Sequence, residues 1–280
     1  YSKCLDHAYF INGPEVSALE KQLQDYTGSK YVVGMSSGTD ALIASLMASG
    51  MEKDDEVLVT TFTFVASATA ILLAGLRPVF VDVAPNSFHP TLEEIKKVVT
   101  PKTKALIYVH LFGEPNELSE IKSFCEENNI ILYEDCAQSF GSRFDDGSHV
   151  GTMSSASCYS FFPAKNLGCF GDGGAVMTDC EDLAHKLRMI RSHGSEKRYY
   201  NDILGSNFRL DTIQAAVISI FLEGIDDWIS ARKDNATFYL EELSGLDILL
   251  PPQKKFHSWN QFTIRTDKRD ELKHFLDSKN

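Results

Sequence analysis

The chain has 280 residues, of which 43 % are hydrophobic, and 27 basic against 39 acidic side chains give a formal net charge of −12. This composition excludes disordered, collagen-like and disulfide-scaffold proteins, and it supplies enough apolar residues for a sizeable core. The acidic balance argues against a nucleic-acid or anionic-membrane surface, either of which would need a clustered basic patch.

Neither a membrane span nor a signal peptide is visible in the sequence. The longest apolar stretch, residues 65–76, is interrupted by polar residues and glycine and falls short of the ~18 residues that a span needs. The six cysteines are scattered without a CxxC pair, and the histidines form no HxxxH or HExxH motif. We therefore expect a cytoplasmic protein with reduced, mostly buried thiols and no metal site.

In chain order, short apolar runs alternate with amphipathic segments. The runs predict six buried strands, at residues 31–35, 56–60, 79–83, 105–110, 130–134 and 157–161. In the helix predicted at 117–127, Leu118, Ile121 and Phe124 share one face, and further helices are predicted at 181–191 and 211–223. Strands and helices alternating at this spacing indicate an α/β fold with a largely parallel sheet.

The pattern of predicted elements changes after residue 225. The helix at 211–223 runs into Asp226-Asp227-Trp228, and a charged helix at 231–243, a Pro251-Pro252 break, a strand at 261–265 and a helix at 269–277 follow. We predict a large domain at residues 1–225 and the start of a smaller C-terminal α+β domain at 226–280. That second domain looks incomplete, and both ends look trimmed.

Three segments carry candidate chemistry, each with a simpler alternative. At residues 36–42 a strand runs into Ser37, Gly38 and Thr39 before a helix, which suits either an anion at the helix N-terminus or a plain N-cap. Asp135 closes a predicted strand, where it would either bind a cationic ligand group or cap a turn. Lys165 lies among aromatic and small residues before four glycines, so it is either a desolvated, nucleophilic amine or an ordinary surface charge.

An anion cradle, a carboxylate and an amine at one sheet edge match the three polar ends of pyridoxal 5′-phosphate. Its phosphate needs the cradle, its pyridine nitrogen must stay protonated, and its aldehyde reacts with an amine. Pyridoxal phosphate is therefore the cofactor that we predict.

At this point the sequence resembles the DegT/DnrJ/EryC1/StrS family of sugar aminotransferases. The resemblance rests on motifs in the family's order: SGTDAL (37–42), TFTFVASA (61–68), PVFVD (78–82), EDCAQSFGS (134–142), SFFPAKNLGCFGDGGA (160–175) and NFRLDTIQAA (207–216). It implies fold type I, with a mostly parallel seven-stranded sheet between helices. It also implies a homodimer whose active sites are shared between subunits.

The resemblance also implies residue roles. Lys165 matches the lysine that bonds to the cofactor and later moves a proton, and Asp135 matches the carboxylate that pairs with the pyridinium nitrogen. The remaining cofactor contacts that it implies are Gln138 at the ring hydroxyl, Phe64 stacked on the ring, Gly38, Thr39 and Ser160 at the phosphate, and Asn207 reaching the phosphate from the partner subunit. Without the resemblance, Phe64 would be interpreted as a core phenylalanine.

Two further residues are weaker candidates for substrate contacts. Arg209 follows Asn207 by two positions, so on an extended segment both side chains point the same way. Arg209 would bind a substrate carboxylate or phosphate, or form a structural salt bridge. His193 ends a predicted helix, where a histidine is equally expected for structural reasons.

The family's reaction is transfer of an amino group, here expected from L-glutamate, to the ketone of a nucleotide-diphosphate-linked sugar. Residues 160–175, 193–200 and 260–265 look most like enzymes that aminate C3 of a UDP-linked 2-acetamido-3-oxo-glucuronate, which implies surface-polysaccharide synthesis. A dTDP-3-oxo-6-deoxyhexose aminotransferase is the alternative within the family. Alternatives outside it are a non-catalytic, pyridoxal-phosphate-binding sensor or regulator and a structural protein without cofactor.

Overall fold

The structure, a computed structural model, describes residues 2–197 and 199–279. A seven-stranded sheet forms its centre, built from β1 (Tyr31–Met35), β2 (Glu56–Thr60), β3 (Arg77–Val81), β4 (Thr103–Val109), β5 (Ile131–Asp135), β6 (Ala156–Ser160) and β7 (Gly174–Thr178). The strand order is β1-β7-β6-β5-β4-β2-β3. β7 runs opposite to the other six strands, since it is antiparallel to both β1 and β6, so the carboxyl ends of those six strands lie at one edge of the sheet.

The helices cover both faces of this sheet. They are α1 (Ser2–His7), α2 (Pro14–Thr27), α3 (Gly38–Ala48), α4 (Ala66–Leu73), α5 (Leu92–Lys96), α6 (Ser119–Glu127), α7 (Glu181–Ile190), α8 (Thr212–Leu222), α9 (Ile225–Glu242) and α10 (Arg269–Asp277). One core cluster joins the sheet to α3, α4 and α7. On the other face α2 and α8 form a second cluster, while α5 and α6 contribute to a third. A short ribbon pairs β8 (Ser195–Lys197) with β9 (Tyr200–Asn201).

The fold class predicted from the sequence is confirmed, and the six predicted strands lie within two residues of the observed ones. β7 was not among them. It begins where Gly174 passes so close to the chain after β1 that a Cβ would lie 2.4 Å from the carbonyl carbon of Ser37. Glycine at this position therefore lets β7 insert between β1 and β6.

Two predictions beyond residue 225 are wrong in detail. The charged helix predicted at 231–243 begins earlier, since α9 starts at Ile225 and Asp226-Asp227 lie in its first turn, where acidic side chains interact favourably with the positive end of the helix dipole. Residues 261–265 form no strand in the part of the chain that the structure describes, apart from a single bridge between Leu249 and Arg265. The predicted helix at the end is confirmed as α10.

The six cysteines are free, and five of them are buried, as expected for core thiols. Across residues 2–197 and 199–279, none of the helices has the length and apolar character needed to cross a bilayer.

Candidate active site

A cavity of about 530 Å³ lies at the edge of the sheet where the parallel strands end. It opens beside the ends of β1, β5 and β6 because these strands run in the same direction. Seven of the residues singled out from the sequence line it together: Gly38, Thr39, Phe64, Asp135, Gln138, Ser160 and Lys165. The fold thus gathers four separate sequence segments around one space.

The N-terminus of α3 forms one wall of this cavity. Ser37 caps the helix, since its hydroxyl accepts a hydrogen bond from the backbone N–H of Asp40 at 3.0 Å, and the Asp40 carboxylate in turn accepts from the Ser36 and Ser37 hydroxyls. The first N–H groups of a helix have no partner within it and attract anions. A Cβ on Gly38 would lie 2.7 Å from that of Ser160, so glycine is what lets the helix end approach this closely. The N-cap is therefore present, and it leaves room at the helix N-terminus for an anion.

Asp135 lies on the cavity floor at the end of β5 and is only 5 % exposed. Its Oδ2 accepts a hydrogen bond from the Ser67 hydroxyl at 2.7 Å, and its Oδ1 accepts one from the backbone N–H of Ala137 at 3.1 Å. Burial raises the pKa of Asp135, against the opposing effects of these hydrogen bonds and of the Lys165 charge. A buried carboxylate of this kind is stabilised by a cationic ligand group.

Lys165 follows a tight turn, in which its backbone N–H donates to the carbonyl of Phe162 at 2.9 Å. Burial lowers the pKa of Lys165, while the charge of Asp135 acts in the opposite direction. A lysine with a lowered pKa has more of the neutral amine that can act as a nucleophile. The structure therefore favours the desolvated lysine over the ordinary surface charge.

Gln138 and Phe64 occupy two other parts of the wall. The backbone N–H of Phe112 donates to Oε1 of Gln138 at 2.7 Å, which leaves the NH2 end of this amide for a ligand. Phe64 is 69 % exposed while lining the cavity. The alternative of a core phenylalanine is therefore wrong.

Asn207 and Arg209 line a neighbouring cavity of about 420 Å³, and Asp172 lines both spaces. The two side chains point the same way, as predicted, since Nε of Arg209 donates to Oδ1 of Asn207 at 2.8 Å. Among the ion pairs of the described residues, none involves Arg209. The structural salt bridge considered for Arg209 is thus not formed with any residue that the structure describes.

His193 lines neither cavity in the described part of the chain. It lies in the turn after α7 with a positive φ of 62°, and its backbone N–H donates to the carbonyl of Ser206. This position favours the structural interpretation of His193 over a substrate contact.

Several polar residues of the cavity, among them Ser67, Asn260 and Gln261, were not predicted from the sequence. Ser67, which holds Asp135, lies inside the 61–68 motif, but its partner is 68 positions away. Asn260 and Gln261 reach the cavity from the C-terminal part of the chain. Local sequence patterns do not predict such long-range contacts.

These residues fit pyridoxal phosphate on structural grounds alone. The cavity offers an anion cradle at Gly38, a buried carboxylate at Asp135 and a partly desolvated amine at Lys165. The three groups lie around one space of suitable size for a small cofactor and a substrate.

Comparison with known proteins agrees with this chemistry. The profile of the DegT/DnrJ/EryC1/StrS aminotransferase family matches residues 1–280. The chain is 42 % identical over 273 residues to a UDP-N-acetyl-3-dehydro-alpha-D-glucosamine 3-aminotransferase of Acidithiobacillus ferrooxidans, covering 97 % of this chain and 74 % of the relative. It is 38 % identical to a UDP-2-acetamido-2-deoxy-3-oxo-D-glucuronate aminotransferase of Pseudomonas aeruginosa, covering 96 % and 76 %.

Two further similarities bear on function. A protein of Geobacillus stearothermophilus named as a pleiotropic regulatory protein is 41 % identical, covering 95 % of this chain and 73 % of the relative. Among solved structures, DesV of S. venezuelae in complex with a ketimine intermediate superposes with a TM-score of 0.96 at 38 % identity, covering 99 % of this chain and 76 % of DesV. The chain thus spans about three quarters of the length of these relatives.

Proposed function

The chain belongs to the DegT/DnrJ/EryC1/StrS aminotransferase family, and we propose that its cavity transfers an amino group from L-glutamate to the ketone of a nucleotide-diphosphate-linked sugar. The observation that carries this function is the convergence of Lys165, Asp135 and the α3 N-terminus on one cavity. The relatives that match most of the chain include aminotransferases of UDP- and dTDP-linked sugars. The cofactor is pyridoxal phosphate, whose ring supplies the electron sink for breaking the donor's Cα–H bond.

Lys165 is proposed as the cofactor-binding amine and as the acid and base of the reaction. Its lowered pKa favours the neutral amine that attacks an aldehyde, and the same amine can then accept and return a proton at the substrate carbon. Asp135 would hold the proton on the pyridine nitrogen, since its buried carboxylate keeps free lone pairs beside the two hydrogen bonds that orient it.

The remaining contacts would fix the cofactor's position. Gly38, Thr39 and Ser160 would bind its phosphate at the end of α3, and Gln138 would donate its NH2 group to the ring hydroxyl. Phe64 would stack on the ring, which explains why this aromatic side chain is exposed in the cavity.

We further propose a homodimer in which Asn207 and Arg209 complete the partner's site. Both line a separate cavity that adjoins the first one at Asp172, and because Arg209 forms no ion pair with a described residue, its guanidinium is proposed to bind an anionic ligand. Mixing Lys165→Ala with Asn207→Ala protomers tests this arrangement. If each active site is shared between two subunits, random mixing of the two inactive variants leaves about a quarter of the sites intact and restores activity. If each site is complete within one subunit, mixing the two variants restores no activity.

The sugar is proposed to be a UDP-linked 2-acetamido-3-oxo-hexose, in the cytoplasm and in surface-polysaccharide synthesis. The support is the similarity to enzymes whose names specify UDP-linked 3-oxo sugars, and free, buried thiols suit a reducing compartment. A dTDP-3-oxo-6-deoxyhexose stays the alternative, since a Streptomyces venezuelae dTDP-sugar transaminase is 40 % identical.

A pyridoxal-phosphate-binding regulator is the second candidate, favoured by the name of the Geobacillus relative. The test incubates the protein with cofactor, L-glutamate and either keto-sugar nucleotide, and detects amino-sugar and 2-oxoglutarate by mass spectrometry. Equimolar formation of both products, abolished in Lys165→Ala, supports the aminotransferase. Cofactor binding without either product would contradict it and favour the regulator.

A further inference from the structure

We propose that Asn260 binds the keto-sugar through its side-chain amide, at the ring hydroxyl next to the reacting carbonyl. This inference rests on the function proposed above and adds a specificity-determining residue to it. Asn260 lines the cavity together with Gln138 and Lys165, although it lies 95 positions beyond Lys165 in the sequence.

The side chain of Asn260 has an unmet hydrogen-bonding requirement. Its Oδ1 atom is buried and has no hydrogen-bond partner within the described residues. Leaving a buried polar atom unpaired costs about 1–3 kcal/mol, so an asparagine that served only the fold would be a poor choice here. An amide both donates and accepts, and a sugar hydroxyl does the same.

The backbone around Asn260 is fastened to the cavity wall on both sides. The N–H of Ser258 donates to the carbonyl of Gly113 at 3.2 Å, and the N–H of Gln261 donates to the carbonyl of Phe112 at 3.2 Å. From the other side, Arg232 on α9 donates to the carbonyl of Trp259 at 3.2 Å. Asn260 is therefore held in place independently of its own side chain.

Backbone strain accompanies this fastening. Trp259 and Phe112, whose segments face each other, have positive φ values of 49° and 63°. The Trp259 ring is stacked on His257 at 3.8 Å between centroids. Strained residues of this kind persist where the surroundings fix them, and they concentrate at ligand-binding sites. The strained, anchored segment thus presents Asn260 in a preorganised position.

The ligand group that Asn260 meets follows from the rest of the lining. The phosphate, ring nitrogen and ring hydroxyl of the cofactor already have proposed partners in the α3 cradle, Asp135 and Gln138. A neutral amide also suits an uncharged sugar ring better than the carboxylates of glutamate, for which a cation is the better partner. The neutral groups of the sugar remain, namely its hydroxyls and its acetamido group, and the hydroxyl is the one proposed because a single oxygen both donates and accepts.

The test separates the two half-reactions in holoenzyme carrying Asn260→Leu, a change that removes the amide at similar volume. We expect kcat/KM for the UDP-linked 3-oxo sugar to fall by about 10- to 100-fold, with the glutamate half-reaction within about twofold. For wild type, kcat/KM should be lower with a 4-deoxy analogue of the sugar than with the sugar itself. For Asn260→Leu, kcat/KM should be the same with both. The unfolding temperature should stay equal or rise, because an unpaired buried atom has been removed. Asn235→Ala, exposed on α9, is the control.

Three outcomes overturn the proposal. Equal loss in both half-reactions, or a changed absorption spectrum of the bound cofactor, would assign Asn260 to the cofactor. A lower unfolding temperature with unchanged kinetics would make it structural. Calorimetry adds a test that does not depend on turnover: the amino-sugar nucleotide should bind Asn260→Leu more weakly than wild type. If wild type does not react with glutamate, the proposed function fails, and this difference in affinity still decides the role of Asn260.

Discussion

Asp135→Asn is expected to leave the fold intact while removing most of the activity. The amide can still accept the hydrogen bond from Ala137, and its NH2 group can donate to the Ser67 hydroxyl where the carboxylate accepted from it. The count of hydrogen bonds is unchanged, and so the free energy of unfolding of the cofactor-free protein should change by less than about 1 kcal/mol. Burial raises the pKa of Asp135, so loss of its charge does not weaken the empty protein.

The loss of activity follows from the buried charge pair with the pyridinium nitrogen. Removing one partner of such a pair costs about 3–5 kcal/mol, which corresponds to about 10²- to 10⁴-fold in rate. Urea unfolding of the cofactor-free protein gives the first quantity and steady-state amine transfer from glutamate the second. Asp234→Asn, exposed on α9, is the matched control. An Asp135→Asn enzyme within tenfold of wild type would refute the assigned role, and so would a loss of activity that simply tracks a loss of stability.

Two further changes test the cradle and a buried histidine. Gly38→Ala places a Cβ 2.7 Å from that of Ser160, at an overpacking cost of about 1–3 kcal/mol, so the Kd for pyridoxal phosphate should rise about 10- to 100-fold in a spectroscopic titration. Gly224→Ala, whose Cβ would meet Trp228 at an ordinary 3.5 Å, should leave the Kd unchanged; equal effects would contradict the cradle. Burial lowers the pKa of His149 to about 4. Below pH ~6.5 this imidazole therefore binds a proton in the unfolded chain but stays neutral in the folded protein, so the free energy of unfolding decreases as the pH is lowered. The stability difference between wild type and His149→Gln in urea should therefore shrink by about 2 kcal/mol from pH 7.5 to pH 5, and a constant difference would show that His149 does not titrate as described.

The sequence predicted the parts of the fold that depend on local patterns. The apolar runs of five or six residues correspond to β1 to β6, and the helix periodicity of residues 117–127 corresponds to α6. β7 was not predicted because its first residue, Gly174, belongs to the glycine-rich stretch that follows Lys165. The start of α9 was predicted too late, at residue 231 instead of Ile225, although Asp226 and Asp227 are residue types that stabilise a helix N-terminus.

The residues of the candidate site also fall into two groups, those that local sequence predicts and those that it does not. Gly38, Asp135 and Lys165 each follow or end a strand, so a parallel sheet necessarily brings them to one edge, and local sequence was enough to predict their meeting. Ser67 and Asn260 reach the same cavity through contacts that only the three-dimensional path of the chain creates. Local sequence has no signal for them.

The central claim is that Lys165 and its cavity carry out amine transfer with pyridoxal phosphate. The most direct measurement is the visible absorption spectrum of the protein with cofactor, before and after addition of L-glutamate, for wild type and Lys165→Ala. Wild type should show the band of the lysine-bound cofactor, lose it on addition of glutamate and release one equivalent of 2-oxoglutarate, while Lys165→Ala should do neither. A wild-type band that ignores glutamate, or a Lys165→Ala protein that reacts like wild type, would contradict the claim.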